Sequence, residues 1–545
     1  MGHPTDTSNH AINPLTQQTT TDRTTEPAAR PNQLFCCKSI DKLISDSEEP
    51  ERRLKKTLGP VSLTALGIGA VIGSGIFTVI GTAIAGQKFD TSSILNAPLL
   101  DYLIRHTASL GRPGAGPALA LSLILVAIVC AFTGLCYAEL ASMIPIAGSA
   151  YTYTYATMGE LIAWIIGWDL ILEYAVSNMA VSVGFAQHLV NMFDWFGWHP
   201  GLRWISPAYL PSGMTGLQGE MLYPPGFHFG FNFPAFLVVM ILTMVLVRGI
   251  RESAEANNTM VILKIAAIFA FIIAGAHYLN PGLWHPFAPM GWSGILTGGS
   301  IIFFTYIGFD SVSTAAEEAR NPQRDLPIGI IATLVVCTLL YIGVAITLTG
   351  LVPWESVRDD AAPVVNSMKH LTEITGSSWL RWVRLGVLFG AMMGMISSLL
   401  VFQLGQARVW FSMSRDGLLP KLFCHVHPRF RTPSTATWIA GFVVGIPAGI
   451  LDIGTLSDLS NIGTLFAFVL VSLGVIILRY REPNRHRGFR APGGIAAPVL
   501  SVLFCALLMS GLPILTWLRF FGWLLIGLGI YRFYSMKRSE FARVN

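Results

Sequence analysis

The chain has 545 residues, 52% of them hydrophobic and only 12% charged, with a mean hydropathy of +0.56. Soluble domains average about 25% charged residues, so these values exclude a soluble globular protein and indicate a polytopic membrane protein. The formal net charge is only +5, and the seven cysteines form neither a metal-binding spacing nor a disulfide framework.

Residues 1–50 are rich in Thr, Asn, Gln, Pro and Asp and contain no apolar run. They are expected to form a disordered cytoplasmic tail rather than a signal peptide. The Cys36–Cys37 pair within it fits lipidation, oxidation or no special role. Beyond the tail, a spanning helix needs about 20 mostly apolar residues. Twelve segments qualify, at 61–86, 117–142, 160–193, 232–248, 259–279, 293–315, 328–351, 382–411, 434–450, 458–478, 496–514 and 517–534. The third is overlong and is expected to run on into an interfacial end. With the N-terminus inside, 26 of the 36 Lys and Arg residues fall on the cytoplasmic side and nine in outer loops, and Lys264 lies within a span. That asymmetry predicts both termini inside. The outer loop 194–230 carries Trp195, Trp198, Trp204 and Tyr209, aromatics suited to the membrane–water boundary.

The first span contains 67-GIGAVIGSGIF-77. Glycine costs about 1 kcal/mol in a helix relative to alanine. Two readings stand for this run: a small-residue packing face, or a break in the helix. Unwound backbone at membrane depth is tolerated only where it is buried in protein or lines a cavity. The sixth span, 298-GGSIIFFTYIGFDSVSTAAEE-318, also has a central glycine, Gly308, followed by Asp310. Interrupted segments at matching positions of two halves point to a transporter's binding site. A break exposes N–H groups that favour an anion and carbonyls that favour a cation. A zwitterionic α-amino acid presents one of each.

The stretch 67-GIGAVIGSGIF-77, with 134-GLCYAELASMIPIAGSAYTYTY-155, 159-GELIAWIIGWDLILEY-174, 303-FFTYIGFDSVSTAAEEARNPQRDLPIGI-330 and 405-GQARVWFSMSRDGLLP-420, resembles the amino acid–polyamine–organocation superfamily. Within it the chain is similar to bacterial-type members of the cationic amino acid transporter family. The likeness extends from residue 60 to about 480. It implies an all-α fold of twelve transmembrane helices: a five-plus-five inverted repeat at 51–280 and 281–480, two added helices with the C-terminal tail at 481–545, and helices 1 and 6 unwound in mid-membrane. The Gln87–Gly116 loop looks longer than is usual for the family, and no role attaches to it from sequence.

Carried over by resemblance, the substrate carboxylate meets the N–H groups of Ser74 and Gly75, with Gly73 beside them. The α-amino group meets the carbonyls of Val71, Phe304 and Ile307, and the Phe304 ring acts as an outer gate. Lys264, the only basic residue deep in a span, takes the place where sodium-coupled relatives hold their ion. There it meets first-helix carbonyls near Gly73 and the eighth helix near Ser397 or Ser398. A lysine that releases its proton replaces sodium as the coupling ion. The alternative is a lysine that snorkels to the cytoplasmic surface. Glu173, one turn beyond Asp169, is implied as the partner of Lys264, directly or through water. A carboxylate satisfied by hydroxyls, or one facing a wet vestibule, is the competing reading. Asp310 either braces the unwound backbone or relays protons. Glu317, Glu318, Arg320 and Arg324 suit an inner gate of ion pairs, or simply a solvated loop.

The eighth span, 386-GVLFGAMMGMISSLL-400, brings apolar, adaptable surface through its methionines. By resemblance, Met395 narrows the site toward neutral amino acids, with cationic ones second. The expected function is proton-coupled import of L-amino acids across the plasma membrane by alternating access. An exchanger of the same fold and a non-transporting amino acid sensor are the alternatives. No HExxH or G-x-S-x-G motif is present, so neither an enzyme nor a metal or other cofactor is expected. The bilayer and the substrate are the expected partners. Nucleic acid is not expected as a partner, and an accessory single-helix subunit would leave no trace in this sequence.

Overall fold

In the computed structural model, helix forms in every one of the twelve apolar segments. The described residues run from 33 to 539, except 42–55, 57, 147, 199–200, 207, 211–213, 216–220, 224–225, 249–252, 359, 361, 429 and 431. Most of the expected 1–50 tail therefore lies outside them. Among the described residues, seven helices are long and apolar enough to cross a membrane, or eight if Pro60–Val71 and Gly75–Ala85 are one bent span. Phe233–Arg248, Ser434–Ala448 and Ala496–Ser510 are shorter apolar helices. The third span is a single unbroken helix, Glu160–Trp195. Its buried acids, Glu160, Asp169 and Glu173, distinguish it from the purely apolar helices.

The first and sixth segments are interrupted. Helix Pro60–Val71 ends before Ile72, the chain bends by 41°, and helix resumes at Gly75 with one wide turn to Val79 before Ile80–Ala85. Helix Gly291–Ile302 tightens to a 3₁₀ turn at Phe303–Tyr306 and breaks at Ile307–Gly308. It continues as a 3₁₀ helix over Phe309–Glu318. Gly308 has φ +113°, a conformation that side-chain-bearing residues rarely adopt. The tight winding beyond it has a local cause. Ser311, Ser313 and Thr314 donate to the carbonyls of Gly308, Asp310 and Ser311, three residues back in each case. That spacing fits the 3₁₀ turn.

The last helix, Ile514–Phe533, docks on the third span through indoles. Trp168 and Trp523 stack at 4.4 Å, each donating to the other's carbonyl. Trp164 donates to Gly527. Each buried N–H thus has an acceptor while the rings contribute apolar area. The Gln87–Gly116 loop, featureless in sequence, contains two antiparallel strands, β1 (Gln87–Ser93) and β2 (Ser109–Arg112), with helix Leu99–Arg105 between them. Of the boundary aromatics, Trp198 and Trp204 are exposed, and Trp195 packs under the guanidinium groups of Arg381 and Arg384.

Candidate functional site

The two breaks face each other. A Cβ built on Gly75 would fall 2.8 Å from Thr305 Cα, and one on Gly308 would fall 2.9 Å from Ala70 Cβ. Only glycine permits these backbones to come so close. The first N–H groups of the half-helix beginning at Gly75 have no acceptor within it. Ser74 precedes them with its Oγ buried and without a hydrogen-bond partner. Phe304 and Ile307 are buried on the opposing segment.

The carbonyls freed by the breaks are met by side chains from other helices. Lys264 is fully buried, and its ammonium donates to Gly69 O at 2.8 Å and Ile72 O at 3.0 Å. Ser398 Oγ lies 3.0 Å from Gly69 O and 2.9 Å from Ala70 O, and Ser397 Oγ lies 3.3 Å from Gly69 O. The Lys264 stem packs beside Gly394, one turn before the two serines on the same helix. Lys264 therefore reaches inward to the break, rather than outward to solvent as snorkelling requires. Its contacts are to carbonyls two to five residues before Ser74, so it sits beside the N–H groups and not on them.

Two further side chains join this set without any sequence signal. Tyr341 Oη lies 3.0 Å from Val71 O and 2.9 Å from Thr305 O, so its single proton serves one break or the other. Asn461 donates to Ser300 O at 2.8 Å, ahead of the second break. A tyrosine or an asparagine in an apolar span is unremarkable in the linear pattern; only the fold brings it to an unwound carbonyl.

No ion pair joins Glu173 to Lys264. Glu173 lies one turn beyond Asp169 on the same buried helix face. Both oxygens of Asp310 and of Asp169, Glu173 Oε1 and the hydroxyls of Tyr137, Tyr153 and Tyr174 are buried without a protein partner in hydrogen-bonding geometry. The Asp310 carboxylate lies beside the backbone of Gly308 and Ser311 and the Tyr174 hydroxyl. Of the inner-gate residues, Glu318 pairs through its carboxylate with Arg408 at 3.0 Å. Backbone bonds from Leu58 to Glu318 and from Arg320 to Leu58 clip the entry of the first span to the exit of the sixth. Met395 is fully buried on the Ser378–Arg415 helix.

Gly75→Val is expected to lose substrate-dependent thermal stabilisation while still unfolding cooperatively. Its side chain would meet backbone, which cannot move aside as a flexible side chain would, and overpacking of this kind costs about 1–3 kcal/mol or more. Unchanged stabilisation by substrate would remove Gly75 from the site.

The amino acid permease family model matches residues 58–527. The chain is 42% identical to the branched-chain amino acid permease BcaP of Bacillus subtilis (strain 168), over 93% of this chain and 98% of that protein. It is 38% identical to the methylthioribose transporter of the same organism, with the same coverage. It is 32% identical to the vacuolar cationic amino acid transporter 4 of Arabidopsis thaliana, over 83% of this chain and 68% of that protein. With an almost full-length match to a bacterial permease and two facing helix breaks, the chain belongs to the amino acid permease family of the amino acid–polyamine–organocation superfamily, and is a multi-pass membrane transporter, not an enzyme.

Proposed function

We propose that this permease imports neutral L-amino acids with protons, by alternating access, across the cell membrane, with both termini cytoplasmic. The proposed architecture is twelve spans in two five-helix halves, 51–280 and 281–480, followed by 481–545, with 1–50 as a cytoplasmic tail. One observation carries the coupling: the buried Lys264 ammonium held by the Gly69 and Ile72 carbonyls. Freed carbonyls at the end of a half-helix suit a cation. Here a titratable side chain supplies that cation, so loading and unloading a proton changes the charge at the break.

In this reading the substrate carboxylate is read by the N–H groups of Ser74 and Gly75, with Gly73 leaving room. The ammonium is read by the carbonyls of Val71, Phe304 and Ile307. These contacts see the amino acid backbone and ignore the side chain. The buried Met395 then shapes an apolar side-chain pocket. The branched-chain substrates named for a 42% identical relative agree with that choice. The buried Glu173 and Asp310 are assigned the second half of the proton path. Glu317, Glu318, Arg320 and Arg324 lie on the inner exit route. The substrate named for another relative favours methylthioribose as the one non-amino-acid ligand to include.

The test is uptake of radiolabelled leucine into proteoliposomes, without sodium and with or without an inward proton gradient. Valine, alanine, arginine, glutamate and methylthioribose serve as competitors. Uptake driven by the gradient and displaced by valine is the expected result. Uptake that ignores the gradient but needs amino acid inside makes the protein an exchanger. Binding without uptake makes it a sensor.

A further inference from the structure

We propose that the Gln87–Gly116 loop is an outer lid whose latch is the ion pair between Arg112 and Asp458. Arg112 ends β2 and Asp458 lies near the start of helix Ile453–Arg481, so the two are 346 positions apart in sequence. Arg112 Nη1 lies 2.8 Å from Asp458 Oδ1 and 2.6 Å from Oδ2. The arginine side chain is 2% exposed and the aspartate 11%. Nε and Nη2 of Arg112 are buried without partners. The guanidinium has therefore surrendered its water for one carboxylate.

The loop is attached to several elements at once. β1 follows directly on the outer half of the first span, and Ala115 N donates to Ala83 O of that half at 2.9 Å. Arg358, from the loop after the seventh span, donates to Ala85 O at its end. Leu99 N donates to Leu512 O, and Ile514 N to Ala97 O, tying the lid to the turn between the last two helices. Ser293 donates to Asp101 at 2.6 Å, tying it to the start of the sixth segment. The lid thus moves with the outer half of the first helix, and Arg112–Asp458 is a charged contact between that body and the helix carrying Asn461. Opening the site to the outside separates the two bodies and returns both charges to water.

Such a latch has a distinctive energetic signature. Removing one partner leaves a buried unpaired charge in the closed state alone, which shifts the population toward open. Removing both partners relieves that penalty. A chain carrying Thr78→Cys has a thiol at a buried position on the outer half of the first helix. This chain is the parent for every latch variant, and the chain that keeps Thr78 gives the background. The readout is the labelling rate by a membrane-impermeant thiol reagent added to right-side-out vesicles. Arg112→Ala and Asp458→Ala are each expected to label at least about ten-fold faster than the parent. The double variant is expected to label more slowly than either single. The charge swap Arg112→Asp with Asp458→Arg is expected to label more slowly than Asp458→Arg alone, and it carries the test if an alanine variant does not survive purification. Single variants that label at the parental rate, a double variant at least as fast as the singles, or a swap without rescue overturns the latch. The proposal rests on the alternating-access reading above. Labelling reads conformation without substrate, so failure of proton-driven uptake with the latch intact separates the two.

Discussion

Replacing Lys264 by alanine abolishes uptake driven by the proton gradient and leaves substrate binding within about ten-fold of the parent, a change of about 1.4 kcal/mol. The two effects separate because of where the ammonium sits. It donates to Gly69 and Ile72, whereas the N–H groups proposed to read the carboxylate begin at Ser74. Each charge-assisted bond contributes about 1.5–3 kcal/mol, but the carbonyls are not abandoned when the lysine goes. Ser398 remains 3.0 Å from Gly69 O and 3.3 Å from Ile72 O, and Ser397 reaches the same Gly69 carbonyl. The variant therefore keeps a partly satisfied break and loses the one titratable cation there. Lys264→Met fills the space left by the stem and separates the lost charge from the lost volume. The measurement is gradient-driven uptake beside counterflow of labelled leucine against unlabelled leucine inside the vesicles. Loss of the first with retention of the second is expected in both variants. Gradient-driven uptake that survives in Lys264→Met would move the coupling to Glu173 and Asp310.

Much of this site is legible in the sequence for a physical reason. Glycines and a lysine are costly inside a spanning helix, so their presence at 67–75, 308 and 264 signals a break and a charge that the fold must accommodate. The helices themselves are legible from their apolar runs. What sequence does not carry is the identity of the partners. The i,i+4 spacing of Asp169 and Glu173 puts both on one face but does not say which helix that face meets; in the fold Asp169 packs against Gly463 of helix Ile453–Arg481. The serines after Gly308 read as helix, yet their hydroxyls fold back three residues and wind it into 3₁₀ geometry. Tyr341 and Asn461 lie in apolar spans with nothing to mark them as caps for unwound carbonyls. Arg112 reads as one loop charge among several. Only its burial against Asp458 distinguishes it from a solvated residue.

Glu139→Ala is expected to give the largest loss of stability of any single change considered for this chain. Glu139 lies near the C-terminal end of helix Leu119–Met143, where its carboxylate is 2% exposed. It accepts from Arg479 Nε at 2.9 Å and from Arg479 Nη2, and from Ala491 N at 2.8 Å. Arg487 Nε lies 3.3 Å from Oε1, the oxygen that also accepts from Arg479 Nε. One carboxylate thus holds two nearly buried guanidinium groups and a backbone N–H, and fastens the 482–495 connection beneath the second span. Alanine removes the shared acceptor and leaves both cations where water reaches poorly. A buried pair broken from one side costs about 3–5 kcal/mol, against less than about 1 kcal/mol for a surface pair such as Arg485–Asp41, whose carboxylate is 81% exposed. Unfolding of a membrane protein in detergent is often irreversible, so the comparison is the apparent Tm at one scan rate. Glu139→Ala lowers it by several degrees or prevents recovery of folded protein, while Asp41→Ala leaves it unchanged. Glu139→Gln falls between them, because the amide oxygen still accepts from Arg479 but carries no charge. Equal Tm values for Glu139→Ala and Asp41→Ala would show that the buried cluster is no stronger than a surface pair.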